Sequence, residues 1–182
     1  MRDASPPVSI ERLTTPRLLL RELQIGDFEA YANHVSDPKA TVYMGGAVDR
    51  RRAWSMFGSL TGGWLLTGAG WWAVELCATG EFIGTVGAFF RESAIGLGPS
   101  AELEVGWSLL QPYWRKGYAT EAARAALAFG FDRHPVRRAI AHIDAENVAS
   151  IGVAKAIGMT FESEVDFYGV PITRYTIARA AP

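Results

Sequence analysis

The sequence predicts one α/β domain, an α+β arrangement in which a mixed, mostly antiparallel sheet of about seven strands is flanked by about four helices. Two observations lead to this fold class. Apolar runs of strand length recur along the chain, and some are joined by short turns while others are joined by helical segments. Because short turns give antiparallel neighbours and helical crossovers give parallel ones, both kinds of pairing are expected in the same sheet.

The chain of 182 residues is long enough for one domain with a large core and short for two. We assign residues 11–182 to that domain and residues 1–10, a polar segment with two prolines, to a flexible leader. Strands are predicted at 17–23, 70–77, 82–92, 101–110 and 136–144, followed by a hairpin about Gly169 and Val170. Helices are predicted at 26–37, 49–67, 119–131 and 147–157.

Capping residues set several helix boundaries. Asp27 is expected to cap the first helix, and Gly158 to follow the last one as its C′ residue. Gly62 and Gly63 weaken the second half of the 49–67 helix, because glycine is a poor helix former.

Charge and composition exclude several function classes. The formal net charge of -1 argues against nucleic acid or an anionic membrane as the main partner, since such binding needs a concentrated basic surface. The first ten residues lack the apolar region of a secretion signal, and no run is apolar enough to span a membrane. The single cysteine, Cys77, allows no intramolecular disulfide, so a cytoplasmic location is expected. A homodimer is compatible with the composition, which does not decide the oligomeric state.

The segment 113–122, YWRKGYATEA, lies between a predicted strand and a predicted helix. The first N–H groups of a helix have no intrahelical partners and present the positive end of the helix dipole. Gly117 and Ala119 keep side-chain bulk away from that end, and Arg115 and Lys116 add charge beside it, so a phosphate can approach the backbone. On local chemistry alone, a solvated basic turn is the alternative.

This segment resembles the acyl-CoA loop of the GNAT superfamily of N-acetyltransferases, whose motif is Gln/Arg-x-x-Gly-x-Gly/Ala between a strand and a helix. Trp114 stands where many members carry Gln or Arg. Three longer stretches are similar to the Rim-type branch of ribosomal-protein N-acetyltransferases. They are TPRLLLREL near the start, AELEVGWSLLQPYWRKGYATEA in the middle and NVASIGVAKAIGM at 147–159. The resemblance covers about residues 11–179.

The resemblance implies a sheet that is split between its fourth and fifth strands, with the pantetheine arm of acetyl-CoA in the split and no metal. Gly106, inside the fourth strand, fits a bulge at that place. The implied cofactor-binding residues are Val105, Trp107, Leu109, Arg115, Lys116, Gly117, Tyr118, Ala119, Thr120, Asn147 and Ser150. Asn147 is alternatively only the N-cap of its helix.

Acetyl transfer to an amine needs a neutral nitrogen, so a general base is expected. Glu102 and Glu104 are the candidates, because period-two alternation places both carboxylates on one face of a strand. Glu104 matches the acidic position of the family and is the first choice, acting through water; two solvated carboxylates are the alternative. Ala154 stands where many members carry a tyrosine acid. The resemblance therefore implies Ser150 as the proton donor to the leaving thiolate, unless the helix dipole alone assists its departure.

The predicted reaction moves an acetyl group from acetyl-CoA to a primary amine, either a protein N-terminus or a small molecule, by direct attack in a ternary complex. Tyr43, Met44 and Glu102 are the expected substrate-binding residues. The acceptor site is expected to be apolar and aromatic-walled with few acidic groups, which argues against polycationic acceptors. A non-catalytic acyl-CoA-binding or interaction module is the alternative function.

Other reactive side chains are expected to have structural roles. Cys77 ends a predicted strand without a base partner fixed by the sequence, which argues against an acyl-enzyme on this thiol. His34, His134 and His142 are scattered and lack the spacing of metal ligands.

Overall fold

The computed structural model describes residues 9–92 and 102–180, which form a single α/β domain and confirm the predicted fold class. Residues 1–8 of the predicted leader lie outside the described residues. The strands are β1 (Leu13–Thr14), β2 (Leu18–Arg21), β3 (Gly70–Leu76), β4 (Phe82–Phe89), β5 (Leu103–Leu109), β6 (Arg138–Ile143), β7 (Thr160–Phe167) and β8 (Val170–Ala178). The helices are α1 (Phe28–Val35), α2 (Arg50–Thr67), α3 (Tyr118–Arg133) and α4 (Val148–Ala156).

One eight-stranded sheet runs through the described residues in the order β1-β2-β3-β4-β5-β6-β8-β7. All neighbouring strands are antiparallel except β5 and β6, which are parallel and pair only at Leu103 with Ala139 and at Glu104 with Ile140. Beyond Glu104 the two strands separate and leave a gap. This is the predicted split, because the two-residue β1 adds one strand to the expected seven and the expected fourth and fifth strands become β5 and β6.

Helix α2 is continuous through Gly62 and Gly63. It begins at Asp49, whose side chain accepts a hydrogen bond of 2.7 Å from the Arg52 N–H, and it ends at Gly68 in the left-handed conformation. Gly63 is required by packing, since a Cβ there would lie 2.7 Å from the carbonyl oxygen of Ala69. The glycine thus lets the helix end close against the start of β3.

Asp27 is the N-cap residue of α1, as predicted, but its side chain makes no capping hydrogen bond to that helix. A 3-10 turn, Ile25–Asp27, precedes the helix. The Asp27 carboxylate is buried and receives both Nη atoms of Arg21, at 2.7 and 2.8 Å. The charged partner outcompetes the helix end for this carboxylate, because a buried ion must be paired.

The larger apolar core lies between the sheet and helices α3 and α4. Small residues of α3, among them Ala122, Ala123 and Ala126, are fully buried there. Gly130 allows the closest approach, since a Cβ at this position would lie 2.2 Å from Leu103 Cδ2. Helix α3 therefore lies directly on β5, and its N-terminus is held at the end of that strand. No helix among the described residues combines the length and apolar character needed to cross a membrane.

The predicted bulge at Gly106 is absent, because β4 and β5 stay in register from Gly84–Leu109 to Phe89–Glu104. A close side-chain contact explains the glycine instead. A Cβ at Gly106 would lie 2.7 Å from Cη2 of Trp71, and a Cβ at the neighbouring Gly87 would also meet this ring. The two glycines make room for the indole on the face of the sheet away from α3.

Candidate active site

The second half of β5 presents backbone groups to the gap. The Leu110 N–H donates to the Ile83 carbonyl at 2.9 Å, and alternate residues of an antiparallel pair bond the partner strand. Glu104, Gly106 and Ser108 thus bond β4, whereas Val105, Trp107 and Leu109 direct their backbone groups towards the gap. The Leu109 carbonyl already accepts a hydrogen bond of 2.6 Å from the indole Nε1 of Trp114. An extended chain with amide groups can pair with this edge as an added strand.

The loop from Trp114 to Gly117 prepares the N-terminus of α3. Arg115 and Gly117 both have positive φ, at 58° and 79°, and Gly117 immediately precedes the helix. Arg17 from the start of β2 fixes this geometry by donating to the Lys116 carbonyl at 2.9 Å and to Glu121 Oε2 at 2.6 Å. The exposed cations Arg115 and Lys116 thus immediately precede the helix start and its free N–H groups, a combination that suits an anion.

The N-terminus of α4 also lies beside β5, where Ser150 contacts Trp107. Asn147 Oδ1 accepts from the Ser150 N–H at 3.0 Å, so Asn147 is the N-cap of α4. Its side-chain amide nitrogen has no hydrogen-bond partner within the described ranges. Ser150 Oγ accepts from the indole Nε1 of Trp107 at 3.3 Å. Since an indole nitrogen only donates, the Ser150 hydroxyl proton remains available for another acceptor.

A cavity of about 300 Å³ lies on the face of the sheet away from α3, where the gap between β5 and β6 begins. Four carboxylates, two guanidinium groups and one imidazole take part in its walls. The lining residues are Arg91, Glu92, Glu102, Glu104, Ile140, His142, Val165, Asp166, Phe167, Tyr168 and Arg174. Strands β5, β6, β7 and β8 and the segment after β4 all contribute.

Glu104 is the most buried carboxylate of the cavity, at 5% exposed. Both of its oxygens are held by Arg91, Oε1 by Nη2 at 2.8 Å and Oε2 by Nε. His142 Nδ1 lies 3.2 Å from the same Oε2. Burial raises the pKa of Glu104, but the close contact with His142 and the hydrogen bonds from Arg91 outweigh it, and the pKa lies below the usual value. Glu104 is therefore ionised at neutral pH.

The other carboxylates of the cavity differ in their partners. Glu102 forms ion pairs with Arg138 and Arg174. At the rim, Glu92 accepts from the Tyr168 hydroxyl at 3.1 Å, and Asp166 accepts from the Gly169 N–H at 2.9 Å. Neither rim carboxylate forms an ion pair with any described residue. The rim therefore offers negative charge to a cation from solvent.

Comparison with known proteins identifies the family. The model of the acetyltransferase (GNAT) domain matches residues 17–160. The chain belongs to the GNAT family of acetyltransferases. An uncharacterised protein of Bacillus subtilis (strain 168), YkkB, is 31% identical over 167 residues, which are 90% of this chain and 94% of the relative. The crystal structure of an acetyltransferase from Agrobacterium tumefaciens is 30% identical with a TM-score of 0.82, covering 94% of this chain and 96% of that one.

The Rim-type resemblance is also found among solved structures. RimL, an acetyltransferase of the ribosomal protein L7/L12, matches this GNAT chain with a TM-score of 0.75 over 93% of this chain and 94% of RimL. At 15% identity this likeness shows a common fold. The activity as an acyl-CoA-dependent acetyltransferase follows from membership of the family.

The GNAT fold brings some of the predicted site residues together and keeps others apart. Glu102 and Glu104 line the cavity, on the face of β5 opposite the buried Leu103 and Val105. Tyr43 and Met44 are not among the lining residues. Met44 Sδ lies 3.6 Å from Oγ of Ser108, four residues along β5 from Glu104. Four strand residues span about 13 Å, so these predicted acceptor contacts lie at the far end of the same face.

The expectation of an apolar acceptor site with few acidic groups does not describe this cavity. Its walls carry four carboxylates, and the aromatic rings of Phe167 and Tyr168 come from the final hairpin. A polycationic acceptor is therefore compatible with the charge of this cavity. The acidic side chains were misjudged because Glu92 and Asp166 are distant in sequence from Glu104 and meet it only in the folded sheet.

Sequence reasoning missed several residues that hold the site together. Arg91 and His142 surround Glu104, and Arg17 fixes the loop before α3. One signal was available for His142, because it stands between the apolar residues Ala141 and Ile143 in a strand that is apolar from Ala139 onwards. The ion pair of Arg91 had no signal in the sequence.

Two smaller predictions can also be compared with the structure. Cys77, for which a structural role was expected, is exposed and lies outside the cavity. Within residues 9–92 and 102–180, no cluster of three or more His, Cys, Asp or Glu residues is placed to hold a metal ion.

Proposed function

We propose that this GNAT protein transfers the acetyl group of acetyl-CoA to a primary amine that enters the charged cavity. One observation carries the proposal. Glu104 is the last residue of β5 that pairs with β6, and its carboxylate also lines the cavity. A thioester in the gap and an amine in the cavity would therefore be neighbours at this residue, as direct attack in a ternary complex requires.

The donor side would be held mainly by backbone. The pyrophosphate of acetyl-CoA would lie on the N-terminus of α3, formed by residues 115–120, and pantetheine would pair with the gap-facing groups of Val105 and Trp107. Asn147 would contribute its side-chain amide. Two features of the structure suit acetyl-CoA: β5 has amide groups that face the gap, and a glycine of positive φ stands at the start of α3. The same groups make coenzyme A the co-substrate that we propose.

In the reaction, the amine nitrogen attacks the thioester carbonyl carbon, a C–N bond forms and the C–S bond breaks. The nitrogen loses a proton to a base of the charged cavity in which Glu104 lies, and the departing sulfur gains one. We assign delivery of the second proton to Ser150, whose hydroxyl hydrogen is left available by the bond from Trp107 and is replaced from solvent as the thiol forms. Ala154 carries only a methyl group, so it cannot replace the tyrosine acid of other family members.

The acceptor is proposed to approach as an ammonium ion. Glu92 and Asp166 at the rim have no basic partner among the described residues and would attract a cation before it is deprotonated inside. Both a protein N-terminus and a small cationic amine fit this description. A cytoplasmic location and a homodimer remain secondary proposals, the first from the single cysteine and the second to be tested by sedimentation.

Detection of acetylated amines tests the proposal directly. The protein is incubated with acetyl-CoA and a panel of N-terminal peptides, polyamines and aminoglycosides, and acetylated products are identified by mass spectrometry. We expect transfer to at least one amine and a loss of at least about 100-fold in the Glu104→Gln variant. Binding of acetyl-CoA without transfer to any amine would instead support a non-catalytic acyl-CoA-binding module.

A further inference from the structure

His142 enters the charged cavity from β6, beside Glu104. Ala139, Ala141 and Ile143 alternate with it along the strand and are buried in the core under α3 and α4, so the imidazole lies on the opposite face. Its side chain is only 11% exposed. The ring packs against Phe167, with the ring centroids 4.9 Å apart. The imidazole is thus held in a defined place at the mouth of the gap.

The contact with Glu104 decides which ring nitrogen carries the proton. An ionised carboxylate only accepts hydrogen bonds, and His142 Nδ1 lies 3.2 Å from Glu104 Oε2, so the Nδ1–H form of the neutral ring is favoured over one that turns a lone pair towards the carboxylate. Nδ1 is buried, and in the ligand-free geometry it has no hydrogen-bond partner among the described residues. Such contacts commonly tighten when substrate binds. The lone pair therefore lies on Nε2.

Glu104 itself is poorly suited to accept a proton. Arg91 donates to both of its oxygens, and Oε2 is shared with His142. A carboxylate that is held by a bidentate guanidinium is a weak base, because protonation would break both charge-assisted bonds. His142 Nε2, by contrast, has no hydrogen-bond partner within the described ranges. Among these two neighbouring groups, the imidazole holds the lone pair that can take up a proton.

We infer that His142 accepts the proton of the attacking amine at Nε2, and that Glu104 is a positioning residue that keeps the ring in its Nδ1–H form. The inference rests on the proposed acetylation of amines. As the C–N bond forms and the C–S bond breaks, the electron pair of the latter goes to sulfur and the proton of the nitrogen goes to Nε2. The imidazolium that results is stabilised by the Glu104 carboxylate and returns its proton to solvent.

The charges around His142 suit this role. The cavity that holds His142 is lined by Glu104 of β5, Glu102 just before it, Arg91 and Glu92 of the segment after β4, Asp166 of β7 and Arg174 of β8. Four carboxylates therefore stand against two guanidinium groups. An imidazolium formed at this place meets no excess of positive charge.

The first test reads the ring without any reaction. Long-range ¹H–¹⁵N spectra of the ligand-free protein at about pH 8 distinguish the two tautomers, and the signals of His142 are identified by their absence in His142→Gln. We expect the Nδ1–H form to be the main tautomer in the wild type, and the population of the Nε2–H form to increase in Glu104→Gln. A wild type in the Nε2–H form would overturn the inference, whether or not the Glu104→Gln variant folds.

The second test compares two acceptors, the panel amine that is acetylated fastest and its analogue with an aminooxy group in place of the amino group. The aminooxy nitrogen is far less basic than an amine and is already neutral near pH 7, so it has less need of a base. For His142→Gln we expect kcat/KM to fall at least about 100-fold with the amine and less than about 10-fold with the analogue. The dissociation constant of CoA should stay within about twofold. Equal losses with both acceptors, or no loss, would contradict the role as base.

Controls separate this inference from the proposed function. His134 is also partly buried with a ring nitrogen that has no described partner, but it lies outside the cavity, so His134→Gln should lower kcat/KM less than about threefold. If His142 and Glu104 act as a unit, the double variant should lose no more than His142→Gln alone. A wild type that acetylates no amine would refute the proposed function. A wild type that acetylates amines, with an unimpaired His142→Gln variant, would refute only the inference.

Discussion

The donor side and the acceptor side that we propose for this GNAT protein differ in the groups that form them. The donor side consists of backbone groups in one continuous stretch, from β5 through the loop to the start of α3. The acceptor side consists of charged side chains from four strands and the segment after β4. Backbone amides suit a ligand whose chemistry is constant, whereas side chains can vary with the amine. The comparison indicates that donor recognition is local and acceptor recognition is long-range.

The same contrast appears in the burial of charge. Arg115 and Lys116 are exposed at the donor loop, where a phosphate can meet them in water. Glu104 and its partners Arg91 and His142 are largely removed from water, so each depends on the others. Substitutions on the donor side should therefore act on CoA binding, and those on the acceptor side on stability and on use of the amine.

The largest effect is expected for Arg91→Met, which leaves the buried Glu104 carboxylate without its guanidinium. We expect the free energy of unfolding to fall by about 2 kcal/mol, since uncompensated buried charge is costly and Arg91 itself is partly exposed. CoA affinity, measured by calorimetry, should stay within about twofold. Arg133→Met, which breaks an exposed pair with Glu11, is the matched control and should change stability far less. A large loss of CoA affinity in Arg91→Met would contradict the separation of donor binding from the acceptor side.

Gly117→Val should act on the donor side alone. Valine is strained at the positive φ of 79°, so we expect the free energy of unfolding to fall by about 1–2 kcal/mol. The altered helix start should also weaken CoA binding at least about tenfold. The same substitution at Gly58, where a Cβ meets nothing within 4 Å, is the control and should leave CoA binding unchanged. Unaltered CoA affinity in Gly117→Val would contradict the proposed binding of the pyrophosphate at this loop.

Stability should depend on acidity through Glu104. Its pKa is lowered in the folded protein, so the carboxylate stabilises the fold above the pKa of the unfolded chain, near pH 4.5, and this stabilisation is lost as pH falls towards the folded value. The difference in unfolding free energy between wild type and Glu104→Gln, measured by urea denaturation, should therefore shrink between pH 6 and pH 3. A difference that stays constant over this interval would show that Glu104 is not paired as described.

The smallest effect is expected for Trp114→Phe. The substitution removes the Nε1–H that donates to the Leu109 carbonyl at 2.6 Å, but the side chain is 46% exposed and water can replace the donor. We expect a change of less than about 1 kcal/mol in unfolding free energy and of less than about threefold in CoA affinity. An effect as large as that of Gly117→Val would make the tryptophan a principal part of the donor site.

Much of the donor side could be predicted because its causes are local. Alternation in 101–110 and small residues after it placed a strand, a loop and a helix N-terminus in sequence, and the structure has them as β5, the loop and α3. Local reasoning failed where a distant partner intervened. Trp71, far along the chain, explains Gly106 better than a bulge does, and Arg21 takes the Asp27 carboxylate that was expected to cap α1.

By itself, the amino-acid sequence determined the fold class, the family resemblance and the placement of Glu102 and Glu104 on one face of a strand. These follow from periodicity and from glycine and small residues at turns, whose effects act within a few positions. Only the tertiary structure decided that Glu104 is held by Arg91 and His142 and that its cavity is acidic. Contacts between side chains on separate strands depend on sheet order and register, which long-range packing fixes and the local sequence pattern leaves open.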